Sequence, residues 1–345
     1  MHLPLFSTPS SDTRNATVII PNLKSGFEFN IASVWLKPGA SNLNYVILNK
    51  ALPTQSPTWH EQELTPSFSP GFELGVRYIL SGTPGQDINL DWTHLDTSTS
   101  DTTVADNAEY FLGPDFEIGP AGIPIRTATG NAKFDYNVIN LDMGQYIGFG
   151  EHLTMRLFGG LSTGLLNEQT TATYSGTRAG TFAGPFSMTQ KVYSDFTGAG
   201  PRAGLQVNYT ADNGLGFMGE AAASALIGSI NSTTTYKGSG QELLTTYGQT
   251  TNYQKITDQN VYQVVPGFDA KVGVTYKHAF ARGELLTIAA GYQAAVFINA
   301  ISQYLPQTLV SGQPLESGGI FVATMSHTLS NYSVQGSFLN FALAV

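Results

Sequence analysis

The stretch "DAKVGVTYKHAF" (residues 269–280) decides the fold. Ala270, Val272, Val274, Tyr276 and His278 fall on one side of an extended chain, and Asp269, Lys271, Gly273, Thr275 and Lys277 on the other. Successive side chains of a strand point to opposite faces, so this is an amphipathic strand. In a soluble sandwich its apolar side would face a core. In a membrane barrel it would face lipid and leave the charged side in a wet interior.

Composition favours the second reading. Asp, Glu, Lys and Arg make up only 12% of the 345 residues, against about 25% in soluble domains. The 20 Phe and 16 Tyr are balanced by neutral polar residues, leaving mean hydropathy at −0.05. No run of about 20 apolar residues offers a spanning helix; the most apolar stretch, "FMGEAAASALIG", is short and carries Glu220. The start, "MHLPLFSTPSSD", lacks the basic and then apolar segments of a secretory signal. That leaves two expectations, an export signal already removed or retention in the cell. A net charge of −9 argues against nucleic acid as a partner, and the lack of Cys excludes disulfide staples and Cys-metal sites.

The two-residue period recurs along the chain. Phe27, Phe29, Ile31 and Trp35 oppose Glu28, Asn30 and Ala32; Phe72, Leu74, Val76 and Tyr78 oppose Glu73, Gly75 and Arg77; Ile88, Leu90 and Trp92 oppose Asp87, Asn89 and Asp91. In "AKFDYNV", Phe134, Tyr136 and Val138 form the apolar side against Lys133, Asp135 and Asn137. Leu153, Met155, Leu157 and Leu161 oppose Thr154 and Arg156, and Leu205, Val207 and Tyr209 oppose Arg202, Gln206 and Asn208. Tight links at residues 81–86, 146–151, 210–214 and 280–284 alternate with long polar segments near 38–66, 99–129, 169–192, 231–257 and 302–326. Short turns alternating with long loops mark an up-and-down outer-membrane barrel, here of about 10 strands with 12 as the rival count. The expected fold is thus all-β, a closed antiparallel transmembrane barrel over residues 26–345 with short periplasmic turns and long extracellular loops. Residues 1–25, with Pro4, Pro9 and Pro21, read as an arm or small plug, and an even strand count puts both termini at the short-turn end.

Lipid decides which face is outside. Strands in hydrocarbon must pair every backbone polar group, which a closed barrel allows. The polar face holds Glu73, Arg77, Asp91, Lys133, Asp135, Arg156, Arg202, Glu220, Asp269, Lys271 and Lys277. A mid-bilayer Lys or Arg facing lipid costs about 2–4 kcal/mol, so these are read as lumen residues.

The blocks "GFEFNIASVWLKPG", "FSPGFELGVRYIL", "DINLDWTHL", "FDYNVINLDMG", "LFGGL", "FTGAGPRAGLQVNY", "GFMGEAAASALIG", "GFDAKVGVTY", "IAAGYQAAVFINAI" and "NYSVQGSFLNF" carry a resemblance spanning most of residues 26–341. In these the chain resembles the Legionella-type major outer membrane protein family of porin-like barrels. The resemblance implies a Gram-negative outer-membrane barrel with pore activity and surface-exposed loops, and it brings no catalytic motif. Two departures stand out. The chain ends "NFALAV", with Phe341 four positions before Val345, where many such barrels end on an aromatic residue. The family's Cys residues are absent, so disulfide-linked oligomers are not expected.

Candidate chemistry is sparse. The acidic segment Asp96, Asp101, Asp106, Glu109, Asp115 and Glu117 reads either as a cation-concentrating pore mouth or weak Ca²⁺ site, or as a solvated loop. The basic residues of the polar face could line a pore or pair with its acids and fill the interior. Trp35, Trp92, Tyr209 and Tyr276 are expected in the interfacial aromatic girdles. Asp91 and His94 would make a hydrolytic dyad only if a bulge brought them to one face. No nucleophile elbow, P-loop or HExxH pattern occurs, so no enzyme, metal or cofactor is expected. The leading expectation is a monomer-capable passive channel for ions or small solutes with a slight cation preference. A non-conducting surface barrel binding host surfaces or lipopolysaccharide is the alternative, and a barrel hydrolase a more remote one. Outer-membrane lipids and lipopolysaccharide are the expected partners.

Overall fold

A computed structural model describes residues 18–21, 23–50, 59–105, 110–114, 125–178, 184–240, 251–257, 261–281, 283–311 and 320–345. Its strands are β1 (Val18–Ile19), β2 (Gly26–Ala40), β3 (Asn44–Lys50), β4 (Trp59–Glu63), β5 (Ser69–Ile79), β6 (Gln86–Val104), β7 (Tyr110–Gly113) and β8 (Ile125–Phe149). They continue with β9 (Leu153–Arg178), β10 (Gly184–Thr210), β11 (Leu215–Gly240), β12 (Thr251–Thr257), β13 (Val261–Ala279), β14 (Leu285–Ser311) and β15 (Ile320–Ala344). Ten of them close an antiparallel ring in the order β8-β6-β5-β2-β15-β14-β13-β11-β10-β9, with β9 returning to β8. The expected count of about ten holds, and the rival twelve does not.

Closure depends on the two ends of the chain. β15 pairs with β2 from Tyr332↔Ala40 to Ala344↔Glu28, and the Val345 N–H continues the ladder by donating to the Phe27 carbonyl at 2.9 Å. Four tight connections, β5 to β6, β8 to β9, β10 to β11 and β13 to β14, lie at this same end, where glycines at φ +85°, +70°, +71°, +84° and +93° (Gly82, Gly85, Gly150, Gly214, Gly283) make the turns. Left-handed backbone costs glycine nothing, which explains its use there. The expected arm falls mostly outside the described residues. Its end is anchored by β1, which pairs with β8 at Phe149 and Gly148.

Several segments expected as loops are strand. β8 to β11, β14 and β15 run 25 to 27 residues, whereas a bilayer needs only about 9–11 residues per strand. The ring therefore projects well beyond the membrane at the long-loop end.

That projection changes the solvent outside the wall, and the strand pattern changes with it. On β9 the outward row is Leu153, Met155, Leu157, Leu161 and Leu165, then Asn167 and Gln169. On β8 it is Met143, Leu141 and Ile139, then Asn137, Asp135 and Lys133. Beyond the apolar belt the inward rows become greasy instead: Phe134, Tyr136, Val138, Leu166, Tyr174, Phe186, Met188 and Phe196 are buried. Pairing between β8 and β9 is unbroken from Thr127 to Phe149, so no bulge exchanges the faces. The environment exchanges instead. Two residues read above as lumen-facing are thereby corrected: Lys133 and Asp135 lie on the outer wall above the belt, and their neighbours Phe134, Tyr136 and Val138 point inward, not to lipid.

The opening strand has the expected sense. Val272 and Val274, 60% and 53% exposed, look outward, while Asp269, Lys271 and Lys277 line the interior.

Inward glycines let neighbouring strands meet, and Gly336 is the tightest case, since a Cβ there would collide with the Trp35 carbonyl at the closing seam. Gly219 on the outer face has open space. Gly336→Ala should destabilise the barrel by about 1–3 kcal/mol, the usual cost of overpacking. Gly219→Ala should leave it unchanged, and the loss of the compact gel band on heating compares the two.

Candidate functional site: a charged vestibule under an aromatic roof

The interior divides at the outer edge of the apolar belt. Below it lies a vestibule of about 1460 Å³, rimmed at the short-turn end by Lys24, Gly150, His152, Asp212, Phe280 and Val345. Above it, side chains fill the lumen. The boundary is an aromatic layer reaching across the ring: Tyr136 of β8 meets Tyr332 of β15 at 6.2 Å and Phe297 of β14 at 6.1 Å, and Phe134 meets Tyr332 at 5.9 Å.

A segment expected outside completes the filling. After β2 the chain turns into the mouth, burying Leu43, Tyr45, Val46 and Leu64. The Tyr45 ring lies against Gly130 and leaves no room for a Cβ there. Its hydroxyl donates to Asp101 at 3.0 Å and shares a 2.7 Å hydrogen bond with Thr103, while its carbonyl accepts from the Tyr174 hydroxyl. Asn42 donates to the buried Glu168 at 3.0 Å. Burial pushes the Tyr45 phenol up from the ordinary tyrosine range. Hydrophobic periodicity could not announce this plug, because "NLNYVILN" reads equally well as wall strand.

The vestibule wall is ionic. Glu28, Glu73, Asp87, Asp91, Asp142, Glu220 and Asp269 face Arg77, Arg156, Arg202, Lys271 and Lys277, seven negative charges against five positive. The bonds run around and across the ring. Arg77 reaches Glu28 at 3.0 Å and Asp87 at 3.1 Å, and the Arg156 Nε donates to both Asp87 oxygens at 3.0 and 2.8 Å. Lys271 of β13 crosses to Glu73 of β5, with 2.7 Å to each oxygen. Arg202 contacts three carboxylates, Asp142 at 2.5 Å, Asp269 at 2.8 Å and Glu220 at 3.5 Å. The Phe158 ring sits 4.9 Å from both Arg156 and Arg202. Asp91 is held by amides instead, accepting from Asn89 at 3.0 Å and Asn140 at 2.8 Å, and the Asn140 oxygen accepts from Ser162 at 2.7 Å. The wall is therefore both paired and lining, which joins the two readings of the basic ladder.

Of the residues singled out from the sequence, Glu73, Arg77, Asp91, Arg156, Arg202, Glu220, Asp269, Lys271 and Lys277 line the vestibule. Glu28, Asp87 and Asp142 belong to the same network and were not among them. A signal for Asp142 existed: along "FDYNVINLDMG" the apolar set passes from 134, 136 and 138 to 139, 141 and 143, leaving Asn140 and Asp142 on the inward parity. The acidic segment does not gather. Asp96 points outward beside Asp135 on the next strand, Asp101 turns to Tyr45, and Asp106, Glu109, Asp115 and Glu117 lie outside the described residues.

Trp35, Trp92, Tyr209 and Tyr276 all face outward, 37% to 43% exposed. Trp92 lies where the apolar row ends, its indole donating to Asn137 at 3.3 Å, and the Tyr209 ring lies tilted 5.8 Å from that of His152 by a short turn. His94 faces outward too, sharing a 2.8 Å hydrogen bond with Asn137, so Asp91 and His94 are on opposite faces and the dyad does not form. Among the described residues no three His, Asp or Glu side chains converge in a metal-holding group.

Replacing Arg202 should leave three carboxylates facing one another. Arg202→Met should therefore cost about 3 kcal/mol, the scale for removing one partner of a buried pair. Arg202→Met with Asp142→Asn and Asp269→Asn should recover much of that loss in the same thermal gel assay.

A family description, Legionella pneumophila major outer membrane protein precursor, matches residues 19–345. No curated protein matches the chain. Among solved structures it is similar to the outer membrane protease OmpT of Escherichia coli, with 8% identity and a TM-score of 0.40 over 93% of this chain and 98% of that one. The Pseudomonas putida toluene transporter TodX gives 7% identity and 0.28 over 93% and 90%, and a Pseudomonas aeruginosa FadL homologue 8% and 0.26 over 92% and 90%.

Proposed function

We propose that this chain, which belongs to the Legionella major outer membrane protein family and lies in the bacterial outer membrane, is a porin-type passage for ions and small solutes that rests closed. The observation that carries this reading is the contrast between the two halves of its lumen. At membrane level the wall is charged around open space of about 1460 Å³. Beyond the membrane the same ring is packed with apolar side chains, and the inserted Leu43, Tyr45, Val46 and Leu64 fill what the wall leaves.

A filled barrel interior conducts little, so passage requires the inserted segment and the aromatic layer to yield. The segment is suited to that. It is joined to the wall through side-chain contacts such as Asn42 to Glu168 and Tyr45 on Gly130, and among the described residues its strand β3 pairs with β4 and β7 and with no strand of the ring. The excess of carboxylates in the vestibule, seven against five, supports a slight preference for cations. Nothing in this arrangement calls for an enzyme, because the wall carboxylates are engaged by arginine, lysine and amide groups.

The alternative is a surface barrel whose lumen never opens, favoured by the apolar filling itself. Its outward face above the belt carries Lys133, Asp135, Asp96 and Lys191, a mixed surface at the height where lipopolysaccharide headgroups would lie.

Planar-bilayer recording separates the two. The intact protein should give brief, small steps, and a variant with residues 42–63 replaced by a short Gly-Ser link should give larger, longer steps with cations carrying more current. If the intact protein and the shortened one are both silent, the passage reading fails and the surface barrel stands.

A further inference from the structure

Glu168 of β9 is buried in the filled half of the lumen, 2% exposed. Its chain neighbours Asn167 and Gln169 stand on the outer wall above the apolar belt, so it lies beyond the hydrocarbon. Among the described residues no cation pairs with it, and its side-chain hydrogen bond comes from the Asn42 amide at 3.0 Å. Phe134 of β8 and Ser194 of β10 flank it in the sheet. The titratable group facing it across the lumen is the Tyr332 phenol of β15, with Tyr136 of β8 stacked behind. Asp135 and Asp195 stand on the far side of the wall beside Asn167, Asp101 is turned to Tyr45, and the exposed His327 bonds Ser302 at 3.0 Å.

Two oxygens of the Glu168–Asn42 contact have no partner, Glu168 Oε2 and Asn42 Oδ1, and both are buried. One proton would serve both. Carried on Oε2, it is a donor for Oδ1 while the Asn42 N–H donates to Oε1, which is how a carboxylic acid pairs with an amide. A carboxylate would leave both oxygens as unmatched acceptors and put an unpaired charge into an apolar enclosure. Burial accordingly pushes the Glu168 carboxyl up to about 8, against the Asn42 hydrogen bond that lowers it.

Three parts of the closure meet at this pair. Glu168 belongs to the wall, Asn42 leads into the inserted β3, and the Asn42 amide also reaches Gln303 Oε1 of β14 at 3.4 Å. The upper end of β14 has by then left the wall. Its register with β15 slips between Phe297 and Ile301, and there Asn299, with φ +59°, is the one non-glycine in left-handed backbone among the described residues. Beyond this bulge the Ser302 N–H donates to Ser194 at 2.9 Å and the Tyr304 carbonyl accepts from Thr234 at 2.9 Å, so the strand leans across the inner faces of β10 and β11. A bulge bends its strand and marks where it pivots.

We infer that Glu168 is a pH-sensitive latch: its neutral carboxyl ties the wall to the inserted β3 and the turned-in end of β14, and its ionisation frees them and opens the mouth. This names the control of the passage proposed above and rests on that reading. In the closed form the carboxyl stays neutral up to about pH 8; in the open form water returns it to the ordinary range near about 4.3. Between those values the closed form holds the extra proton. Opening therefore gains up to about tenfold per pH unit across that window and levels off above it.

The chain has no Cys, so Asn49→Cys on β3 and Lys191→Cys on the outer wall of β10 give two unique sites for spin labels. Their separation is read by pulsed electron resonance on the full chain in reconstituted membranes, from about pH 5 to about pH 9.5, and bilayer steps are recorded over the same range. The expected result is one narrow distance in acid and a second, broader population that rises with pH and levels off above about pH 8. Glu168→Gln, which keeps a donor and cannot ionise, should hold the narrow distance throughout, whereas Asp101→Asn and His327→Gln should retain the rise. Should Glu168→Gln not assemble, Glu168→Met, which also cannot ionise, takes its place: it should show no rise. A separation that stays constant in the unaltered protein, or a rise that survives in the Glu168 variant, overturns the inference. Distances that move without bilayer steps would keep the latch and remove the passage, and steps indifferent to pH with unmoved distances would do the reverse.

Discussion

Every backbone amide of a strand in hydrocarbon must find a partner on a neighbouring strand, because an unsatisfied N–H or C=O in lipid costs several kcal/mol. That constraint forces the first and last long strands together, and the β15 to β2 seam is where it is met. The ring exists because of it. Side-chain pattern then decides which way each strand faces, but only after the ring has fixed that one face looks in and the other out.

What the outer face meets is not constant along the wall. Within the bilayer it meets hydrocarbon, so Leu, Val, Ile and Phe stand outside and ions stand inside, where they pair around Arg77, Arg156, Arg202 and Lys271. Beyond the bilayer it meets water. There the same strands reverse their chemistry without reversing their parity, and the interior becomes an ordinary apolar core holding Phe134, Leu166, Tyr174 and Phe196 with the inserted Tyr45. One continuous sheet is thus an inside-out protein at one end and a conventional one at the other. The vestibule, its aromatic roof and the stopper all follow from where that change falls.

This also explains what the sequence did and did not disclose. Strands such as 269–280 are legible because they lie in the bilayer throughout, and alternation there has one meaning. The ring of ten was legible from the rhythm of tight turns, since Gly82, Gly150, Gly214 and Gly283 mark them locally. "AKFDYNV" misled because its alternation is as clean as any other, yet it belongs to the watery extension, so its greasy side turns inward. Alternation reports that two faces differ and is silent about what each one touches. The insertion of Asn42 and Tyr45 was illegible for a different reason: it depends on Gly130, Tyr174 and Glu168, distant in sequence and assembled only when the ring closes.

Spin labels placed singly along residues 133–147 of β8, in reconstituted membranes, test the exchange of environments most directly. The account predicts contact with lipid-dissolved oxygen at 139, 141 and 143, contact with an aqueous quencher at 133 and 135, and protection from both at 134, 136 and 138. Lipid exposure at 134, 136 and 138, with 133 and 135 enclosed in the lumen, would contradict it.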